Sequence, residues 1–153
     1  MSRRPLVVAY GNRLRGDDAV GWVVADALAD DLRMEKVDVV AVHQLSPELA
    51  DDVSQASLVV FVDARLDPTQ LPGAIAVGVL EPDATAASMT HHVDAGAVLA
   101  LAHTLYGLAP RAFTVSVAIE SAEAGAPLGV AVSASVSALV DTVVRLCGAT
   151  ADA

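Results

Sequence analysis

Five short runs of β-branched and other apolar residues recur along the chain, separated by segments whose apolar residues fall at helical spacing. This alternation constrains the fold more than any other feature. The runs are Pro5 to Tyr10 (PLVVAY), Val37 to Val42 (VDVVAV), Leu58 to Val62 (LVVFV), Ala74 to Val79 (AIAVGV) and Phe113 to Ile119 (FTVSVAI). Continuous apolar strands are the mark of strands covered on both faces, so the pattern predicts a mostly parallel five-stranded sheet with helices on both sides, a three-layer α/β sandwich. With 153 residues and no linker or internal repeat, the chain reads as a single domain, residues 1–153.

The intervening segments supply the helices. Ala19 to Arg33 carries Val20, Val23, Val24, Leu28 and Leu32 on one side, with Asp17-Asp18 ahead of it as a start signal. Ser46-Pro47 is expected to open a second helix, Ser46 as N-cap and Pro47 at its first position. Asp63 is expected to close the third strand. The turn signal Pro72-Gly73 precedes the fourth. A helix from Ala95 to Tyr106 should end at Gly107, and one from Leu128 to Cys147 at Gly148, leaving Ala149 to Ala153 as a frayed end.

Composition narrows the function classes. Nine basic residues against 19 acidic ones give a net charge of −10, which disfavours nucleic acid and anionic membrane as partners. Aromatic residues at 3% are too few for base-stacking platforms. The single Cys147 excludes an internal disulfide and fits a reducing compartment. The short N-terminal apolar run breaks too early for a secretory signal. No stretch reaches about 18 uninterrupted apolar residues. A cytoplasmic monomer without nucleic-acid or membrane partners is therefore expected.

The polar residues fall where chemistry is expected. In an open α/β sheet, ligands bind beyond the carboxyl ends of the strands. Asp17 and Asp18 follow strand one, Asp63 ends strand three, His91-His92 precede a helix and Glu120 follows strand five. Two carboxylates and an imidazole suit a borderline divalent ion such as nickel, zinc or iron(II), and three protein ligands leave positions open. Each residue also has a plainer reading: Asp17 or Asp18 as a helix cap, Asp63 as a turn former, the histidines, Glu120 and Glu123 as solvated loop. His43 and His103 carry weaker signals, and Cys147 reads as core. No phosphate loop, dinucleotide fingerprint, Gly-x-Ser-x-Gly elbow, His-Glu-x-x-His helix or spaced cysteine set is present.

Gly11-Asn12, the acidic pair Asp17-Asp18 and Gly21 together resemble the N-terminal signature of the hydrogenase maturation proteases. Val60-Phe61-Val62-Asp63-Ala64 resembles that family's second acidic site, and Met89-Thr90-His91-His92 before Leu99-Ala100-Leu101-Ala102 resembles its histidine. Ala118-Ile119-Glu120 with Leu128-Gly129-Val130 resembles its closing strand and helix, so the likeness covers nearly the whole chain. Ala9 and Ala19 stand where the family often has glycine. His43-Gln44-Leu45-Ser46-Pro47-Glu48-Leu49 resembles the branch that serves soluble, bidirectional-type nickel-iron hydrogenases.

The resemblance implies an aspartic-type endopeptidase that removes the C-terminal peptide of a nickel-iron hydrogenase large-subunit precursor after nickel insertion. It implies that Asp18, Asp63 and His91, with His92 as the alternative, engage the nickel carried by the precursor, with no organic cofactor. Two other readings share the acidic pattern: a receiver-like signalling domain, which needs a lysine after strand five where Glu120 stands, and a non-cleaving hydrogenase assembly chaperone.

Overall fold

The computed structural model describes residues 3–83, 93–119 and 125–151. It is the expected three-layer sandwich. The strands are β1 Leu6–Tyr10, β2 Asp38–Val42, β3 Leu58–Leu66, β4 Ile75–Leu80 and β5 Arg111–Ile119. The helices are α1 Val20–Ala29, α2 Leu49–Gln55, α3 Ala95–Tyr106 and α4 Val130–Ala151. The sheet order is β2-β1-β3-β5-β4, parallel except for β4, which runs antiparallel to β5 at one edge. A signalling receiver has a fully parallel sheet ordered 2-1-3-4-5; the antiparallel edge strand here separates the chain from that reading.

Alternation along the strands builds two cores. Val7 and Ala9 of β1 face α1 and α4 with Val60, Val62, Val115 and Val117. Leu6 and Val8 face α2 and α3 with Val59 and Phe61. Burial of each such side chain contributes about 1.5–3 kcal/mol. The apolar runs of β1 and β3 are continuous because both faces are covered, whereas β4, at the sheet edge, is apolar yet leaves Val77 and Val79 exposed. Cys147 is buried in the first core, as its apolar setting suggested.

Several boundaries differ from the sequence reading. β3 does not stop at Asp63 but continues to Leu66, because β5 pairs with it along its full length, from Leu58↔Arg111 to Leu66↔Ile119. The apolar run marks only the stretch flanked by β1 as well, whose pairing ends at Ala9↔Val62. The segment after β1 begins as a 3-10 turn over Gly16–Ala19, and α1 ends at Ala29 rather than Arg33. Asp30 and Asp31 oppose the negative end of the helix dipole. Asp31 instead accepts the Arg33 N–H at 2.9 Å and starts a separate 3-10 turn, Leu32–Met34. Ser46 is not an N-cap: its carbonyl accepts the Leu49 N–H, Pro47 lies in the turn, and α2 starts at Leu49. Gly148 lies inside α4 rather than capping it. By contrast α3 has the expected limits, with Gly107 in the left-handed conformation at φ 75°.

By length and composition α4 is apolar enough to cross a membrane, with a mean hydropathy of 1.6 over Val130–Gly148. It lies on the sheet, burying Val132, Leu139, Val140, Val143 and Cys147.

Candidate active site

β2 lies on one side of β1 and β3 on the other, so the chain order reverses at the β1–β3 boundary. The connection after β1 runs through α1 on one face, and α3, which leads into β5, covers the other; such a reversal marks the carboxyl ends of these strands as the place for a ligand. Asp18 and Asp63 are both placed at this point.

The loop after β1 is folded against the start of α1. Gly11 has φ 152°, and a Cβ there would stand 2.3 Å from the Asp18 carbonyl oxygen. A Cβ on Gly21 would stand 2.9 Å from the Tyr10 carbonyl oxygen. Only hydrogen fits at either position, which gives the Gly11 and Gly21 spacing its physical cause. The Trp22 indole N–H donates to the Gly11 carbonyl at 2.9 Å, and the Arg13 guanidinium stacks on the Trp22 ring at 4.9 Å. The Asn12 side chain accepts the Leu14 N–H at 2.9 Å, and the Asn12 N–H donates to Asp18 Oδ2 at 2.6 Å. The loop thereby orients the Asp18 carboxylate through a backbone donor.

The two adjacent acids separate. Asp17 is buried and accepts the Gly129 N–H at 2.6 Å, so it caps α4 across the molecule. Neither Asp17 nor Asp18 caps α1, whose N-cap is Ala19 with no side-chain bond. A Cβ at Gly129 would meet Asp17 Oδ1 at 3.1 Å, so glycine admits the cap.

Asp63 sits one position beyond the last β1–β3 pair and directly opposite Ser116 of β5. Burial pushes its carboxyl up to about 6. Hydrogen bonds from the Tyr10 hydroxyl and the Ala64 N–H act in the opposite direction, and the nearby Asp18 carboxylate adds an upward push. Asp18 and Asp63, both half-buried, are therefore within electrostatic reach of one another at the carboxyl ends of β1 and β3. Tyr10 is held protonated far above its ordinary range, first by burial and then by Asp63 and Asp94. Asp94 caps α3, accepting the Ala97 N–H at 2.8 Å, which sets the N-terminal end of α3 beside Tyr10.

His91, its alternative His92, Glu120 and Glu123 lie outside the described residues. Among the described residues no group of three or more histidine, cysteine or acidic side chains is arranged to hold a metal ion. Two carboxylates converge; the third expected ligand is not among the described residues. His43 and His103 are exposed. Burial pushes the Cys147 thiol up to about 11, the opposite of an activated nucleophile. Sequence reasoning missed Tyr10 and Asp94. A hydroxyl-bearing aromatic at the end of an otherwise aliphatic strand was the available signal for Tyr10. An N-cap acid just downstream of the histidines was that for Asp94.

No family model matches the chain, and no curated protein matches it in sequence. Solved structures do. Hydrogenase maturating endopeptidase HybD from E. coli superposes with a TM-score of 0.72 at 23% identity, covering 92% of this chain and 89% of that one. The hydrogenase 2 maturation peptidase from a Thaumarchaeota archaeon gives 0.70 at 25% identity, over 95% and 99%. The [NiFe] hydrogenase maturation protease HycI from Thermococcus kodakarensis gives 0.75 at 19% identity, over 95% and 93%. Matched over nearly the full length of each, the chain shares the fold of the hydrogenase maturation proteases.

Proposed function

We propose that the chain is an endopeptidase that removes the C-terminal peptide from a nickel-iron hydrogenase large-subunit precursor, using the nickel already in that precursor as its recognition mark. The observation that carries this reading is the convergence of Asp18 and Asp63 at the β1–β3 switch point, with Asp63 desolvated and facing a like charge. Such a pair is under-neutralised and favours a cation brought to it. The nickel is part of the substrate, so the protein needs no cofactor of its own. His91, or His92 in its place, is proposed as the third ligand, three and two residues ahead of Asp94 in the sequence.

Asp18, oriented by the Asn12 N–H, holds the nickel side of the substrate. In the substrate-free protein burial holds the Asp63 carboxyl up near 6; with the precursor's cation alongside it would be ionised, one oxygen toward that cation and the other placed to take a proton from an attacking water. The water oxygen bonds to the scissile carbonyl carbon, its proton passes to Asp63, and Asp63 returns it to the departing amine as the C–N bond breaks. Asp18 and Asp63 would hold the precursor's nickel, which would supply Lewis-acid polarisation of the carbonyl. The protein is proposed to act as a cytoplasmic monomer.

Incubation with nickel-loaded and nickel-free precursor tests the reading. The loaded precursor should shorten by its tail and the nickel-free one should stay intact. Equal cleavage of both removes nickel recognition. Cleavage of neither, with a stable complex formed, favours the non-cleaving chaperone.

A further inference from the structure

We propose that Tyr10 is a positioning residue for Asp63, its hydroxyl fixing the orientation in which the Asp63 carboxylate meets the scissile bond and the cation beside it. The inference rests on the endopeptidase reading and adds a residue that the aliphatic pattern of the strand does not require.

The register gives the geometry. Ala9 pairs with Val62, so the next residue on each strand, Tyr10 on β1 and Asp63 on β3, stand side by side. Two residues earlier, Val8 and Phe61 both point into the α2–α3 core, so Tyr10 and Asp63 share that face. The Tyr10 ring packs against this core, which holds the phenol in place. That placement sets its hydroxyl in side-chain interaction with the Asp63 carboxylate. Asp94 lies within electrostatic reach of the same hydroxyl, but its Oδ1 is committed to the Ala97 N–H at 2.8 Å. A phenol has one proton to donate. Asp63 is the carboxylate whose side chain engages that proton, while Asp94 acts on the hydroxyl through its charge alone. A buried carboxylate held only by the Ala64 N–H would keep rotational freedom about its side-chain bonds. The second donor removes that freedom and leaves the remaining lone pairs for water and cation. Tyr10 itself does not give up its proton, since burial and two carboxylates hold it in the neutral form.

Tyr10→Phe removes the hydroxyl and keeps the packed ring. In steady-state processing of nickel-loaded precursor, kcat should fall about tenfold or more while KM stays within about twofold. The thermal midpoint should not drop. An unchanged kcat, or a fall matched by a loss of folded stability, overturns the proposal. If the unmodified chain leaves loaded precursor uncut, the fault lies in the functional reading, and a second measurement still decides the inference. Tyr106 is the other tyrosine, so ultraviolet resonance Raman spectra of Tyr106→Phe report Tyr10 alone. The tyrosine doublet should show a strong donor in that background and lose this character on adding Asp63→Ala. A doublet insensitive to Asp63 overturns the proposal.

Discussion

The Asp17 carboxylate accepts the Gly129 N–H at 2.6 Å, 112 residues along the chain, while its neighbour Asp18 accepts the Asn12 N–H at 2.6 Å, six residues back. One acidic pair thus does two separate jobs: the first residue ties α4 to the loop after β1, and the second stands within electrostatic reach of Asp63.

That division predicts opposite phenotypes. Asp17→Ala should lower folding stability by about 1–2 kcal/mol, the cost of losing a helix cap. Asp18→Asn should leave stability within about 0.5 kcal/mol and abolish processing of nickel-loaded precursor. Urea denaturation and a precursor-shortening assay on both variants check this. A stable Asp17→Ala, or a fully active Asp18→Asn, contradicts it.

Gly11→Ala should destabilise by about 2–4 kcal/mol, because it adds backbone strain to a clash. The added methyl meets a backbone oxygen at 2.3 Å and cannot be relieved by rotating a side chain. Chemical denaturation gives the number. A loss below about 0.5 kcal/mol would show that the loop is free to move away from α1.

Asp63 should make the unliganded protein less stable as pH rises. Its folded value of about 6 lies above the ordinary 3.8. The folded state therefore holds the proton more tightly, and the resulting stability is complete below pH about 4 and lost as pH rises through about 6. Asp63→Asn should then be more stable than wild type at pH 7, by up to about 3 kcal/mol, with the difference vanishing near pH 4. Thermal melts of the two proteins across pH 4–8 measure it. A variant less stable at pH 7 contradicts the burial of an ionised carboxylate.

Processing should follow the same group. The value of kcat/KM should rise through an apparent pKa near 6 as Asp63 ionises, because this parameter reports the free enzyme. Asp63→Asn should remove both the activity and that limb of the profile. A flat profile between pH 5 and 7 would separate Asp63 from the chemistry.

Much of the fold was legible because the central strands β1 and β3 are buried on both faces. Val7, Val8, Val59 and Val60 announce themselves without any alternation to decode. The limits of α3 were legible for a local reason, since Gly107 takes a left-handed conformation that ends a helix. Boundaries failed where a partner distant in sequence decides them. β3 continues past Asp63 because β5 lies alongside. α4 starts at Val130 where Asp17 supplies its cap from the far end of the chain. Asp63 and the pair Asp17-Asp18 could be singled out because strand ends gather in α/β sheets, while the choice of Asp18 over Asp17 came from the family resemblance. The contact of Tyr10 with Asp63 could not, because it depends on the β1–β3 register, and no feature of either segment alone encodes that register.

The central claim is that Asp18 and Asp63 share one nickel. Diffraction at the nickel absorption edge, from crystals of the chain bound to nickel-loaded precursor, tests it most directly. One anomalous peak bridging the carboxylates of Asp18 and Asp63, completed by His91 or His92, is the predicted result. A nickel peak that touches neither carboxylate would contradict the account.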